Sequence, residues 1–202
     1  MSDLYQQYRG IRGWVAAEIL EDTEEKFETG EVFPIAGLAE VSKNTDSSSE
    51  PYYYDNKATG SNDSTGADQI TFSSAAIPDD AYAKITGQYY DNARGLLVEG
   101  SRESKYFATG YITKKTDGTE MFVWRLKGKF SIPSSTHATE SEGAEGNGQE
   151  VTYTGTETVH KFTVGDEKKP ERAVTVNTKL NKVDETAFFG TVQTPDTIKA
   201  SV

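Results

Sequence analysis

Few side chains in this sequence have the types and spacing that catalysis or metal binding requires. His137 and His160 are the only imidazoles, and neither is accompanied by a spaced set of carboxylates of the kind that zinc and iron sites use. The chain has no cysteine, which excludes a disulfide framework, a thiolate metal site and a cysteine nucleophile. These residues predict surface histidines rather than a metal centre.

Clustered carboxylates offer two further possibilities. Asp79 and Asp80 are adjacent, but they stand at the predicted start of a helix, where the helix dipole favours negative charge. Asn62, Asp63 and Asp68 are oxygen-rich, yet the EF-hand spacing that calcium requires is absent. The sequence also lacks a G-x-S-x-G elbow, a Walker loop and a G-x-G-x-x-G loop. We therefore predict no enzyme, no cofactor and no metal site.

The composition is that of a polar, acidic protein. The 202 residues are 35% hydrophobic and carry a formal net charge of −11. This charge disfavours a protein that wraps nucleic acid, because that affinity comes from Lys and Arg neutralising phosphates, but it allows a surface past which DNA slides. No apolar signal segment and no apolar run near the ~18 residues of a membrane helix occur. We expect a product that is made in the cytoplasm and stays there until lysis.

The elements that must position any functional group centre on residues 105–132, which predict one long antiparallel hairpin. Asp117-Gly118 is a strong turn signal between two alternating runs, because a two-residue type I′ turn needs positive φ at both positions. This register pairs Tyr111 with Trp124 and Phe107 with Gly128. One core-facing side of the hairpin is then predicted to carry Phe107, Tyr111, Phe122, Trp124, Leu126 and Phe130.

Around this hairpin we predict a mainly β (α+β) fold, an antiparallel β-sandwich or barrel with one short helix and long loops. The helix is 79–86, with acidic residues in its first turn and a glycine at its end. Residues 44–68 are rich in Ser, Thr, Asn, Asp and Gly and predict a long loop. Residues 1–164 would form the sandwich domain and residues 165–202 a C-terminal extension. Further strands are predicted at 14–20, 32–35, 37–43, 69–77, 95–99, 150–164 and 173–178.

Two aromatic groups stand out in these polar segments. Tyr52, Tyr53 and Tyr54 are consecutive, and since neighbours in a strand alternate between faces, at least one of them must be exposed. A partly exposed strand is the simpler interpretation, and a partner surface is the functional one. Phe188 and Phe189 are predicted to anchor the C-terminal extension.

Four segments occur in an informative order: Pro34-Ile35-Ala36-Gly37, Tyr52-Tyr53-Tyr54-Asp55-Asn56, IPDDAYAKITG at 77–87 and FATGYITKKTDGTEMFVWRLKGKFSIP at 107–133. Together with Phe188-Phe189 and Pro195, they resemble the major tail protein, or tail-tube subunit, of long non-contractile-tailed bacteriophages. The last segment is the most specific, since it is similar to the family's paired strands that end in Y-K-G-K-F and a proline. The loops at 44–68 and 140–149 are longer and more polar than that pattern.

The resemblance implies a structural virion protein with a β-sandwich and one helix. Such subunits assemble into hexameric rings that stack into a tail tube, through which DNA passes into the host without specific binding. The implied partners are further copies of the chain, the tape measure protein and other tail proteins, with no membrane. Contacts between rings or subunits would come from Tyr52, Tyr53, Tyr54, Asp55, Phe188 and Phe189.

Two other functions remain open from the residues themselves. A carbohydrate- or receptor-binding β-sandwich would use the exposed tyrosines beside acids as a sugar platform. An enzyme would require a carboxylate pair that the sequence does not reveal, and it ranks last.

Overall fold

The computed structural model describes residues 6–54, 57–137 and 147–199, and it is mainly β, with 55% strand and 8% helix. The predicted mainly β fold class with antiparallel sheets is confirmed. The strands are β1 Tyr8–Asp22, β2 Phe27–Thr29, β3 Phe33–Pro34, β4 Leu38–Tyr54, β5 Lys57–Ser74, β6 Tyr89–Asp91, β7 Leu96–Val98, β8 Phe107–Lys115, β9 Glu120–Phe130, β10 Ser134–Ser135, β11 Gln149–Gly155, β12 Lys161–Val164, β13 Glu167–Pro170 and β14 Ala173–Asn177. The helices are α1 Asp79–Thr86 and α2 Glu185–Gly190.

Ten of the described strands form one antiparallel sheet. Its order is β2-β1-β8-β9-β11-β5-β4, with β3 paired to β1, β10 to β11 and β14 to β9. The sheet curls so that β4 approaches β1, and Trp14 of β1 stacks on Phe72 of β5 with ring centroids 4.7 Å apart. Two layers therefore face each other across a core, as in a β-sandwich. The hairpins β6–β7 and β12–β13 form separate two-stranded sheets.

Helix α1 has the predicted bounds, because its signals are local. Asp79 and Asp80 occupy the first turn, where their negative charges interact favourably with the positive end of the helix dipole. Gly87 ends the helix at φ 70°, a left-handed conformation that suits glycine. The buried residues of the helix pack over one end of the sheet and are Ala81, Ala83, Ile85 and Thr86.

The central hairpin forms at the predicted place but turns differently. Its loop contains three residues, 116–118, because the N–H of Lys115 donates to the carbonyl of Thr119 at 2.8 Å. Gly118 has φ 86°, and its N–H donates back to the Lys115 carbonyl at 3.0 Å. This is a three-residue hairpin loop with glycine at the left-handed position. The predicted two-residue turn is wrong.

The longer loop shifts the register near the turn by one residue. Tyr111 lies opposite Val123 and not, as predicted, opposite Trp124. The predicted pair of Phe107 and Gly128 is present because a bulge between them and the turn restores the register.

That bulge decides which side chains share a face. The pairs on either side of it leave Leu126 and Lys127 opposite Ala108. An extra residue in one strand moves all later side chains to the other face. The prediction of a single core-facing side is therefore wrong: Phe107, Tyr111 and Phe130 lie in one core, and Phe122, Trp124 and Leu126 lie in a second core.

The first core lies between the two layers of the sheet and under α1. The polar atoms of two of its buried aromatic residues, Trp14 and Tyr153, are hydrogen-bonded. Trp14 Nε1 donates to Thr109 Oγ1 at 3.0 Å, and the Tyr153 hydroxyl donates to the Phe107 carbonyl at 2.8 Å.

The second core lies on the other face of the hairpin and is closed by residues of the segment 165–199. Strand β14 pairs with β9, so Val174 lies opposite Trp124. Asp184 caps α2 by accepting a hydrogen bond from the N–H of Ala187 at 2.8 Å. The predicted C-terminal extension thus contributes one strand to the main sheet and a second helix, which the sequence had not predicted.

Two loop and strand predictions are wrong. Residues 44–68 are not a loop, because β4 and β5 run through them as paired strands. The single strand predicted at 150–164 is divided into β11 and β12. Asp55 and residues 138–146, most of the predicted 140–149 loop, lie outside the described residues.

The bulge also aims Lys127 at a buried carboxylate on β1. Lys127 Nζ lies 2.5 Å from Asp22 Oδ2, and both side chains are largely buried. The N–H groups of Val159 and His160 donate to the same carboxylate at 2.9–3.0 Å. Burial disfavours the ionised Asp22, but the hydrogen bonds from Lys127 and the two N–H groups outweigh burial and hold its pKa below the ordinary 3.8.

We expect Asp22→Asn to destabilise the fold at pH 7 by about 2 kcal/mol, the range for hydrogen bonds to a charged group. A depressed folded pKa gives stability that is complete above the carboxyl's ordinary value of 3.8 and is lost as the pH falls through the lower folded value. Urea unfolding of both proteins between pH 7 and pH 2.5 should show the difference shrinking at the acid end. Glu25→Gln, at an exposed position, is the control, and a constant difference across the range would contradict the assignment.

Candidate assembly surface

Strands β4 and β5 continue far beyond the sheet as a two-stranded ribbon, here called the arm and comprising residues 46–54 and 57–67. The last pair between β5 and β11 is Asp68 with Gly155, so beyond this point β5 pairs, among the described strands, only with β4. The side chains described in this stretch are exposed or half-exposed on both faces of the ribbon. Nine residues of strand at about 3.3 Å each extend about 30 Å.

The end of the arm carries two tyrosines. Tyr52 and Tyr54 are 40% and 67% exposed, and their rings meet edge to face with centroids 5.7 Å apart. Gly60 lies opposite Tyr52, and a Cβ there would overlap the Tyr52 hydroxyl, so the glycine makes room for the ring. The backbone of Tyr53 pairs with Ala58. The arm thus ends in an exposed aromatic pair on a narrow ribbon.

A buried carboxylate holds the base of the arm. Asp68 has a side chain that is only 4% exposed, and it accepts hydrogen bonds from Thr45 Oγ1 at 2.7 Å and from Arg125 Nη1 at 3.2 Å. Lys43 Nζ lies 3.4 Å from its Oδ1. Arg125 itself is largely buried, and its Nε has no hydrogen-bond partner among the described residues. This cluster links β4 and β5 to the central strand β9.

Arg172 extends the same cluster to the backbone of the arm. Its guanidinium donates to the carbonyl of Gly66 and, at 3.3 Å, to that of Thr65. It also pairs with Glu157 at 3.0 Å and lies 3.9 Å from Asp68. These carbonyls belong to the part of β5 that no longer pairs with β11. Arg172 therefore supplies hydrogen-bond donors that a neighbouring strand would otherwise supply where the arm leaves the body.

Phe188 and Phe189 do not lie with the arm, although the sequence grouped them with Tyr52 as contact residues. Phe188 is buried in the second core, where its carbonyl accepts a hydrogen bond from Trp124 Nε1 at 3.1 Å. Phe189 packs on the Trp124 ring with centroids 5.7 Å apart. Phe188 thus packs inside its own chain, whereas the half-buried Phe189 is partly accessible. That the two residues contact other subunits stays a prediction.

The sheet has edges that other chains could extend. Strand β4 is last in the strand order, and in the described part of the chain its 17 residues have no strand on their outer side. Among the described strands, β14 is likewise paired with β9 alone. Unpaired edge N–H and C=O groups of this length are templates for pairing with another chain.

A second exposed apolar surface lies on the β6–β7 hairpin, which sequence reasoning missed. Tyr89, Leu96 and Val98 are 59%, 41% and 45% exposed. The pairing of Tyr89 with Val98 and of Asp91 with Leu96 places the three on one face. Two apolar runs on either side of a short turn that ends in Gly95 were the available signal.

The groups that suggested chemistry are dispersed. His137 is exposed, whereas His160 is half-buried beside the Asp22 carboxylate and packs on Phe162 with ring centroids 4.9 Å apart. Within residues 6–54, 57–137 and 147–199, no three His, Asp or Glu side chains are grouped so that they could hold a metal ion.

Comparison with protein-family models finds no matching family, and comparison with curated proteins finds no matching relative. Neither described helix is long and apolar enough to cross a membrane. Three surfaces of the described chain are open to a partner: the arm, the sheet edges and the apolar face of β6–β7.

Proposed function

We propose that this chain is a structural subunit that polymerises into a tube, the tail tube of a long non-contractile-tailed bacteriophage. The observation that supports this best is the arm, a ribbon of paired strands that is exposed on both of its faces. The order of sequence segments that resembles the tail-tube family supports the same proposal.

The arm is a feature that needs a partner. An isolated two-stranded hairpin is marginally stable at best in water, because it has no buried face. Its Ser, Asn, Asp and Gly content contributes little apolar burial against the entropy of ordering about twenty residues. The Asp68 cluster anchors only the base. A neighbouring subunit that covers the ribbon, with Tyr52 and Tyr54 as anchors, would supply the missing burial.

The open edges of β4 and β14 provide a second means of association. When β4 of one subunit pairs with β14 of the next, the contact is heterologous, and its repetition closes into a ring when the rotation angle permits. The resemblance implies six subunits in this ring. Edge pairing within a ring and arm contacts between rings are compatible, because the arm leaves the body at one end of β4 and β5.

The charge distribution suits a conduit for DNA. The chain is acidic, and acidic walls do not retain a duplex whose binding depends on Lys and Arg. Two cations of the central strand are already neutralised inside the subunit, since Arg125 pairs with Asp68 and Lys127 with Asp22. The genome would pass through the lumen without specific binding, and the tape measure protein would occupy it before ejection.

We expect the purified protein at high concentration to form rings or tubes that negative-stain electron microscopy and sizing detect.

Replacing residues 46–67 by Asn-Gly joins the paired residues Thr45 and Asp68 through a two-residue turn and removes the arm. This variant should lose stacking. Its thermal midpoint should stay close to that of the parent, because the arm covers no core and the main loss to the body is the hydrogen bonding of Arg172 to the Thr65 and Gly66 carbonyls. Leu180→Ser, at an 80% exposed apolar position away from the arm, is the control.

Two results would contradict the proposal. Armless protein that forms tubes as long as those of the parent would show that the arm plays no part in assembly. Parent protein that stays monomeric and binds glycans through Tyr52 and Tyr54 would instead support the carbohydrate-binding alternative.

A further inference from the structure

The apolar face of the β6–β7 hairpin is preformed. Asp91 closes the turn by accepting hydrogen bonds from the N–H groups of Ala93 and Arg94, at 3.0 and 3.2 Å, and from Arg94 Nε at 2.6 Å. Hydrogen bonding to Arg94 holds the pKa of Asp91 below its ordinary value. A face held in this way binds a partner without a large ordering cost.

The hairpin is also attached to the body at its open end. The Gln88 side chain accepts a hydrogen bond from the N–H of Gly100 at 2.9 Å, and the Tyr82 hydroxyl of α1 donates to Glu99 at 3.1 Å. Tyr90 and Leu97, on the inner face, are half-buried. The outer face, with Tyr89, Leu96 and Val98, is the side left for a partner.

The length of β5 separates the arm tip from the segment that leads to this face. Strand β5 runs without interruption from Lys57 at the tip to Ser74 in the body, a path of about 55 Å at 3.3 Å per residue. Helix α1 follows Ser74 within five residues, and β6 follows α1. One chain therefore cannot bring its own tyrosines to its own β6–β7 face, but a second copy placed end to end can.

The charges do not oppose this pairing. The arm segment 46–67 is acidic, with Asp46, Glu50, Asp55 and Asp63 against Lys57. The segment 88–106 is balanced, with Asp91, Glu99 and Glu103 against Arg94, Arg102 and Lys105. On a chain of net charge −11, this neutral segment repels an acidic arm less than an average part of the surface does.

We propose that the β6–β7 face, formed by Tyr89, Leu96 and Val98, receives Tyr52 and Tyr54 from the arm of a second copy in the next ring. This inference rests on the proposed tube function and names the receiving surface. The contact joins two different patches, so it is heterologous, and its repetition along one axis builds an open stack rather than a closed dimer. Tyrosine at both patches suits a central contact, because its ring brings a large area with little rotamer entropy to lose.

Complementation between two variants tests this pairing. The arm variant is Tyr52→Ser/Tyr54→Ser, and the face variant is Leu96→Glu/Val98→Glu, which changes exposed positions and adds charge against an acidic arm. Each variant alone should stop at the unstacked species. When separately purified samples are mixed 1:1, the intact face of the arm variant receives the intact arm of the face variant, and sedimentation velocity should show a twofold increase in mass without tubes.

Leu20→Glu/Leu180→Glu is the matched control, because it adds the same charge at exposed apolar positions on neither surface; it should stack like the parent. Tyr89→Ser is a milder variant at a 59% exposed position, and it should raise the critical concentration for stacking about tenfold. A face variant that stacks like the parent, or a mixture that gains no mass, would overturn the pairing. Failure of the parent itself to polymerise would instead overturn the proposed function.

Discussion

Replacing Trp124 by alanine should lower the free energy of unfolding by about 3–5 kcal/mol, the range for removing a buried large aromatic side chain. Trp124 is fully buried in the second core. Its Nε1 donates to the Phe188 carbonyl, so truncation also leaves that carbonyl of α2 without this partner. Denaturant unfolding of monomeric protein, followed by circular dichroism, gives the free energy directly.

The comparison for Trp124→Ala is Leu180→Ala, which should change stability by less than about 0.5 kcal/mol because Leu180 is exposed. Trp124→Phe keeps much of the ring and should lie between parent and alanine variant. Indistinguishable unfolding midpoints for Trp124→Ala and parent would mean that the second core does not form around this side chain.

Replacing Asp68 by alanine should cost about 3–5 kcal/mol, the range for removing one partner of a buried ion pair. Arg125 would keep a buried charge without its carboxylate, and its Nε already has no partner among the described residues. Lys43 and Arg172 would lose the same carboxylate at the base of the arm. The free energy of unfolding from denaturant titration measures this loss.

A second substitution separates charge from packing at this cluster. Asp68→Ala/Arg125→Met removes both charges and should recover part of the stability, because an apolar pair needs no compensation. Asp46→Ala, at an exposed position on the arm, should change stability by less than about 0.5 kcal/mol. If Asp68→Ala and Asp46→Ala were equally mild, the carboxylate would not be holding the base of the arm.

The arm shows where sequence reasoning fails. Its Ser, Asn, Asp and Gly content predicted a loop, since strands are recognised by side chains that alternate between a buried and a wet face. The arm has no buried face, so this signal is absent. What forms it is backbone pairing between β4 and β5, which depends little on side-chain hydrophobicity. The sequence predicted that at least one of its tyrosines is exposed, but it did not predict the ribbon that presents them.

The candidate contact residues also divide into those that a local sequence pattern predicts and those that depend on distant packing. Consecutive tyrosines cannot all be buried from one strand, so exposure at 52–54 followed from alternation alone. The role of Phe188 depended on Trp124, which is 64 residues away in the chain. The apolar face of β6–β7 depends on which side of that hairpin packs against the body. No local sequence pattern determines the role of Phe188 or the exposed face of β6–β7.

The sequence by itself determined the mainly antiparallel β class, the bounds of α1, the position of the central hairpin and the burial of its aromatic residues. Each depends on neighbours within a few positions: acidic residues and a glycine around a helix, and a turn between alternating runs. Only the tertiary structure decided the three-residue loop, the bulge opposite Ala108 and the division of the aromatic residues between two cores. It also extended the arm away from the body and left one face of β6–β7 exposed. These features depend on pairing partners that are distant in sequence, such as Asp22 for Lys127 and β14 for β9, because register and face are chosen by what the whole sheet can bury.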